Sequence, residues 1–219
     1  MKKNIFFELF VLLIAAIPVV YLAYIYNSLP QTIPTHFGFS GKPDGFGNKS
    51  SIWVTVLIMS VLSIGLYLLV TNLSKIDPKK TAKLSRQAFQ KIAIAVVLLL
   101  SAVNISIIYA TVNGTFNTKL LLPLLGLFFV YMGNMMHSIK PNYFVGIRLP
   151  WTLEDPDNWR VTHQLGGKLW FVGGIIITVC TLLLPEKVSF IIFISTVAII
   201  VLIPIIYSYS YFKKHNQAS

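Results

Sequence analysis

VSFIIFISTVAIIVLIPIIYSYSYF, residues Val188–Phe212, runs from Lys187 to Lys213 without one Asp, Glu, Lys or Arg. As a helix rising 1.5 Å per residue, it is long enough to cross a hydrocarbon core of about 30 Å. Backbone groups in hydrocarbon find no water, so a segment of this kind bonds to itself as a helix. A buried helix of a soluble protein would account for one such run. It does not account for the five others, which lie between Glu8 and Lys42, Lys49 and Lys75, Lys91 and Lys119, Lys119 and Lys140, and Lys168 and Glu186. Each holds an apolar stretch of roughly 17 to 25 residues. The runs predict helices near Asn4–Asn27, Ser51–Asn72, Phe89–Val112, Leu120–His137, Gly167–Leu184 and Val188–Phe212. The expected fold is all-α: a polytopic membrane bundle of six transmembrane helices, with residues 1–219 as a single integral membrane domain.

Composition agrees. Of the 219 residues 55% are hydrophobic and 11% charged, with a mean hydropathy of +0.72, whereas soluble domains carry about a quarter charged residues. That argues against an ordinary soluble domain and against disorder. The lone Cys180 excludes an internal disulfide framework and a zinc ribbon. The net charge of +11 does not point to nucleic acid, because the basic residues are spread along the membrane edge instead of gathered on one face. With the N-terminus inside, 14 of the 18 Lys and Arg fall on cytoplasmic segments, leaving Lys42, Lys49, Lys119 and Lys187 outside. The positive-inside rule then puts both termini in the cytoplasm and makes 73–91 a basic cytoplasmic loop. The first span begins after Lys2 and Lys3 and ends in Tyr21, Tyr24 and Tyr26, an interfacial belt. Its apolar stretch is too long for a cleaved signal and no small-residue cleavage site follows, so it is expected to be retained.

Ionisable groups are scarce inside the spans. Glu8 lies near the cytoplasmic interface, and the polar mid-membrane positions are Asn104 with Ser101 and Ser106, Asn134 with Gly133, and Thr178 with Thr181. These are expected to hydrogen-bond between helices that Gly126, Gly133, Gly173 and Gly174 let pack closely. Pro18 and Pro204 are expected to kink their helices. No internal repeat is visible, which counts against an inverted-repeat transporter. His36, His137, His163 and His215 show no ligand spacing. No metal site, catalytic group or cofactor is expected.

Two loops carry the information. The outer one, residues 29–50, includes LPQTIPTHFGFSGKPDGFGNK, Leu29–Lys49. Pro30, Pro34 and Pro43 stop helix, four glycines permit positive φ, and Pro43-Asp44-Gly45 is a turn signal. Ile33, Phe37, Phe39 and Phe46 are more apolar than a connector needs. The loop is read as packed on the membrane face, a cap over helix ends or a binding surface, with His36 and Asp44 as its main polar side chains. The other loop, residues 138–168 on the cytoplasmic side, includes KPNYFVGIRLPWTLEDPDNWRVTH, Lys140–His163. Thr152 or Asp155 is placed to cap a short interfacial helix on which Trp159 and His163 share a face. Arg148, near Trp151, has three uses open to it: stacking on an indole, binding a lipid phosphate, or binding a partner's carboxylate.

Both loops resemble those of the SdpI family of bacterial integral membrane proteins. Members carry Leu-Pro-x-x-Ile-Pro-x-His-x-Gly-x-x-Gly-x-Pro-Asp after the first span, matched here from Leu29 to Asp44. After the fourth span they carry Pro-Asn-x-x-x-Gly-x-Arg-x-Pro-Trp-Thr, matched at Pro141, Asn142, Gly146, Arg148, Pro150, Trp151 and Thr152, then by Trp159, Arg160, Thr162 and His163. The resemblance covers nearly the whole chain and implies a multi-pass protein of the bacterial cytoplasmic membrane with a role in immunity and signalling. The family's namesake protects a producing cell from its own membrane-active peptide toxin and holds a cytoplasmic transcriptional repressor at the membrane. The implied partners are membrane lipids, a peptide toxin on the outer face and a repressor protein inside, with no direct nucleic-acid binding. The implied contact residues are His36, Phe37 and Asp44 outside, and Asn142, Arg148, Trp151, Trp159, Arg160 and His163 inside. A small exporter of peptides or lipids, and a membrane enzyme acting on lipid head groups through Arg148 and His163, are the competing readings.

Overall fold

The computed structural model describes residues 5–38 and 41–216. Six of its helices are long and apolar enough to cross a membrane. They are α1 (Ile5–Ile25), α2 (Ser51–Ile76), α3 (Arg86–Asn113), α4 (Thr118–Met136), α6 (Pro156–Leu183) and α7 (Glu186–Asn216), with a short α5 (Pro150–Glu154) before the fifth span. The side chains they expose are largely apolar, among them Leu13, Val20, Val61 and Ile206, as suits helices whose solvent is lipid. The chain is a multi-pass membrane protein.

The structure is described as two compact units. The first comprises Met1–Leu69 and Ala93–Leu121, the second Val70–Ile92 and Leu122–Ser219. In the first unit, Val11, Ile14, Ala15 and Val97 form one apolar cluster and Leu22, Leu29, Ile33, Ile52, Val56 and Ile108 another. Between them Asn104 donates to the carbonyl of Val56 at 3.1 Å and Ser101 to that of Ile14 at 3.1 Å. Asn104 and Ser101 therefore bond α3 to α2 and α1, as expected, whereas Ser106 donates to the Ala102 carbonyl within α3 at 2.8 Å.

The outer loop adds strand to a helical protein. β1 (Thr32–Phe37) pairs antiparallel with β2 (Pro43–Asn48). The prolines and glycines that hide these strands in the sequence have places in a two-stranded ribbon. Pro34 and Pro43 sit in strands whose outer edges need no donor. Gly45 and Gly47 lie opposite β1 so closely that a Cβ would come within 3.0 Å of His36 and 2.9 Å of Thr35. Of the loop glycines only Gly41, at φ +72°, uses the left-handed region.

In the second unit, α4 and α6 cross antiparallel at a glycine seam. Gly126 faces Gly174, and two turns on Gly133 faces Gly167. A Cβ on Gly174 would lie 2.6 Å from the Gly126 carbonyl oxygen, so the backbones touch. Thr178 donates to the Gly174 carbonyl within α6 at 2.8 Å and reaches the Pro123 carbonyl of α4 at 3.4 Å. Asn134 departs from expectation: it points out of this packing and bonds to nothing among the described residues.

The second motif loop also differs. The expected interfacial helix carrying Trp159 and His163 is instead the first turns of α6, which runs unbroken to Leu183. Asp155 caps it, its side chain accepting from the Asp157 N–H at 2.8 Å, and Pro156 takes the first helical position. Nothing between Val161 and Lys168 breaks a helix, so the charges that mark the membrane edge are not a helix end.

Candidate functional site

In the first unit the hairpin sets the predicted residues side by side. Ile33 is buried in the apolar cluster beneath, and Phe37 packs on the ring of Phe116 at 5.9 Å. The Phe116 N–H donates to the Gly41 carbonyl at 2.9 Å, which pins the turn to the connection after α3. On the open face the His36 Nδ1 and Asp44 Oδ1 atoms are joined by a hydrogen bond, and both side chains stay more than half exposed. Phe46 is exposed beside them. Phe39, the fourth apolar residue predicted to matter, lies outside the described residues. The arrangement is a docked ribbon showing one polar pair, one aromatic ring and, among the described residues, no third strand on its edges.

In the second unit most motif residues point inward. Asn142 is fully buried and organises the turn: its amide donates to the carbonyls of Lys140 and Val145, and its oxygen accepts the N–H groups of Phe144 and Val145, all at 2.7–2.9 Å. Gly146 follows at φ +117°, where a Cβ would meet His163 Nε2 at 2.4 Å. His163 stacks on Trp159 with centroids 4.0 Å apart, as their spacing predicted. Both are buried, so neither is a membrane-interface anchor. The Ile147 N–H donates to His163 Nε2 at 3.0 Å, so this nitrogen is an acceptor and the proton sits on Nδ1, which donates to the Trp159 carbonyl at 2.8 Å. The ring is the neutral tautomer with both nitrogens engaged. Trp159 Nε1 donates to the Ile139 carbonyl at 2.8 Å. Thr152 accepts the Leu149 N–H at 2.9 Å and donates to the Ile147 carbonyl at 2.8 Å. Trp151 donates to the Ser208 hydroxyl at 3.0 Å and packs edge-on against Tyr209, so its indole is taken up by α7.

What remains outside is a smaller set. Arg148 is exposed and donates through Nη1 to the Tyr143 carbonyl at 2.8 Å. Among the described residues no indole receives it, so of its three possible uses the stacking one is not realised. Tyr143 and Phe144 lie exposed next to it. Arg160 pairs with Asp157 at 3.2 Å on the outer surface of α6.

Sequence reading missed the support beneath this set. The segment before α3 docks on the loop: Asp77 accepts the Tyr143 N–H at 2.7 Å, Thr81 donates to the Pro141 carbonyl at 2.6 Å, and Ser85 accepts the Lys140 N–H at 2.7 Å. Lys79 donates to the Leu153 carbonyl and lies 5.5 Å over the Tyr143 ring. Asp77, the one acid in a basic stretch, was the available signal. Ser208 was hidden inside the apolar run that decided the fold; it also accepts, at its carbonyl, the Asn158 amide at 3.0 Å.

Comparison with known proteins matches these two regions separately. The family model described as "SdpI/YfhL protein family" matches residues 138–208, the motif loop with α6 and most of α7. A "Domain of unknown function (DUF1648)" matches residues 13–60, from α1 through the hairpin into α2. The "Immunity protein SdpI" of Bacillus subtilis (strain 168) is 29% identical over 218 residues, 99% of either chain. The chain thus carries an SdpI-family match over its second motif loop and last two spans and resembles an SdpI immunity protein from end to end. An uncharacterized protein of Archaeoglobus fulgidus is 38% identical over 48 residues, 22% of this chain and 26% of its own. No solved structure matches. The docking segment with Asp77, Lys79, Thr81 and Ser85 lies outside both the SdpI-family match and the other matched region.

Proposed function

We propose that this chain is a membrane immunity protein that binds and neutralises a membrane-active peptide toxin at its hairpin. It relays occupancy to a cytoplasmic transcriptional repressor through the motif loop. The observation that carries the reading is the end-to-end similarity to an immunity protein, 99% of both chains. The hairpin supports the first half. Residues 29–50 are extracytoplasmic on this reading, and a two-stranded ribbon accepts an extended peptide as a further strand at its edge. His36, Asp44 and Phe46 then meet its side chains. The motif loop supports the second half: Arg148, Tyr143 and Phe144 form an exposed cationic and aromatic patch on a rigid base, the composition of interface anchors.

The test is survival of a bacterium killed by such a toxin, with and without this protein, at matched membrane levels. Wild type should protect. Asp44→Asn and Phe46→Ala should lower protection by weakening capture. Arg148→Ala should leave capture intact and abolish repressor recruitment to the membrane. Correct insertion without any protection would overturn the immunity reading, and wild-type recruitment by Arg148→Ala would overturn the role given to that residue.

A further inference from the structure

The α4–α6 seam opens at one end into a cavity of about 640 Å³. Besides His163, four polar side chains line it: Asn134, His137, Gln164 and Lys168. All four are exposed, and among the described residues none has a hydrogen-bond or ion-pair partner within the protein. That sets them apart from their neighbours, since Asn142, Asn158, His163 and Arg160 are all engaged. His163 also borders the cavity, but with both ring nitrogens used it supplies wall and no donor. No carboxylate lines the space among the described residues. The four groups can together offer an ammonium, an imidazole and two amides. That is a donor set for an anion with several acceptor oxygens.

The rest of the lining says which kind of anion. Phe171 and Val172, one turn beyond Lys168, form the other half of the cavity. Lys168 is the last charged residue before Glu186, and α4 ends at Met136, one residue before His137. The polar half therefore sits where the hydrocarbon begins, and the apolar half runs into it. The floor is glycine backbone, Gly133 against Gly167, which leaves depth between the helices. A group held here is charged at one end and apolar at the other, in register with the bilayer. Basic pockets between transmembrane helices take lipid head groups in this way. We infer that this groove binds the phosphate head group of an anionic membrane lipid, with Lys168 as the charge partner, Asn134, His137 and Gln164 as donors, and an acyl chain along Phe171 and Val172. The site is independent of toxin and repressor.

The test uses the full-length protein in nonionic detergent, titrated with dioleoyl phosphatidylglycerol or dioleoyl phosphatidylcholine and read by native mass spectrometry. Phosphatidylglycerol should be retained at least tenfold more tightly than phosphatidylcholine. Lys168→Glu should remove that preference, while Lys187→Glu, the same charge change on an exposed lysine away from the groove, should keep it within twofold. Should Lys168→Glu fold poorly, Val172→Trp, which fills the apolar half from an exposed position, should show the same loss. Millimolar inorganic phosphate should leave lipid occupancy unchanged. Equal retention of the two lipids, or equal loss in the two lysine variants, overturns the proposal. Displacement by inorganic phosphate also overturns it, and assigns the groove to the free anion.

Discussion

His163, Asn142 and Gly146 form one mechanical unit, and Arg148 belongs to another. The first three are sealed together: a neutral imidazole, a four-bonded amide and a glycine against which a side chain would collide. Replacing His163 with Ala leaves the Ile147 N–H without its acceptor and a void beside Trp159, which together cost about 2–5 kcal/mol. Gly146→Ala adds backbone strain of about 1–3 kcal/mol to the clash with His163. We expect both variants to unfold several degrees below wild type in detergent. Gly114→Ala separates the two contributions. Its φ of +65° lies in the left-handed region, milder for an L residue than +117°, and nothing lies within 4 Å of the added Cβ, so it should show a smaller loss, from backbone strain alone. A Gly146→Ala no less stable than Gly114→Ala would remove the packing role assigned to that position. Arg148 touches the protein through one surface hydrogen bond, so Arg148→Ala should melt with wild type and change only what the loop recruits.

At the scale of the element the seam between α4 and α6 decides the second unit. Water does not drive helices together inside a bilayer, so close backbone approach has to supply the attraction. Gly174→Val would place a methyl-bearing Cβ 2.6 Å from the Gly126 carbonyl oxygen and force the helices apart at a cost of about 1–3 kcal/mol. Gly65→Val, on α2 with nothing within 4 Å of its Cβ, is the matched control. Only the first should lower the midpoint of thermal unfolding. These elements were unequally legible in the sequence. The six spans could be read because lipid imposes a long charge-free run, and the seam glycines because they interrupt such runs. The hairpin could not, since Pro34, Gly45 and Gly47 are poor strand formers alone and fit only once paired. Nor could the burial of Trp159 and His163: aromatic, basic and polar residues at a membrane edge suggest an interface, and only the folding back of Ile139, Gly146 and Ile147 onto the two rings makes them part of a core. His36 and Asp44 were legible as the polar residues of their loop, and the strand register supplies their pairing.

For the whole molecule the question that governs function is which side each loop faces, and charge sets the expectation. Moving the 14 lysines and arginines of the ends and the even-numbered loops across the membrane is the costlier arrangement, against four for the other side. Residues 42 and 213 are separated by five of the six spans, so they lie on opposite faces whichever way the chain inserts. Two cysteine variants read this out. In a Cys180→Ala background, a membrane-impermeant maleimide should label Lys42→Cys in intact cells and Lys213→Cys only after permeabilisation. The reverse pattern would place the hairpin in the cytoplasm, where an external peptide cannot reach it, and would end the capture mechanism while leaving the fold untouched. Labelling of both in intact cells would require an even number of crossings between them, and one of the six apolar helices would then not be a span. On the proposed function, the expected pattern puts His36 and Asp44 on the face a toxin would reach and Arg148 on the face a cytoplasmic repressor would reach, which is the arrangement such a relay requires.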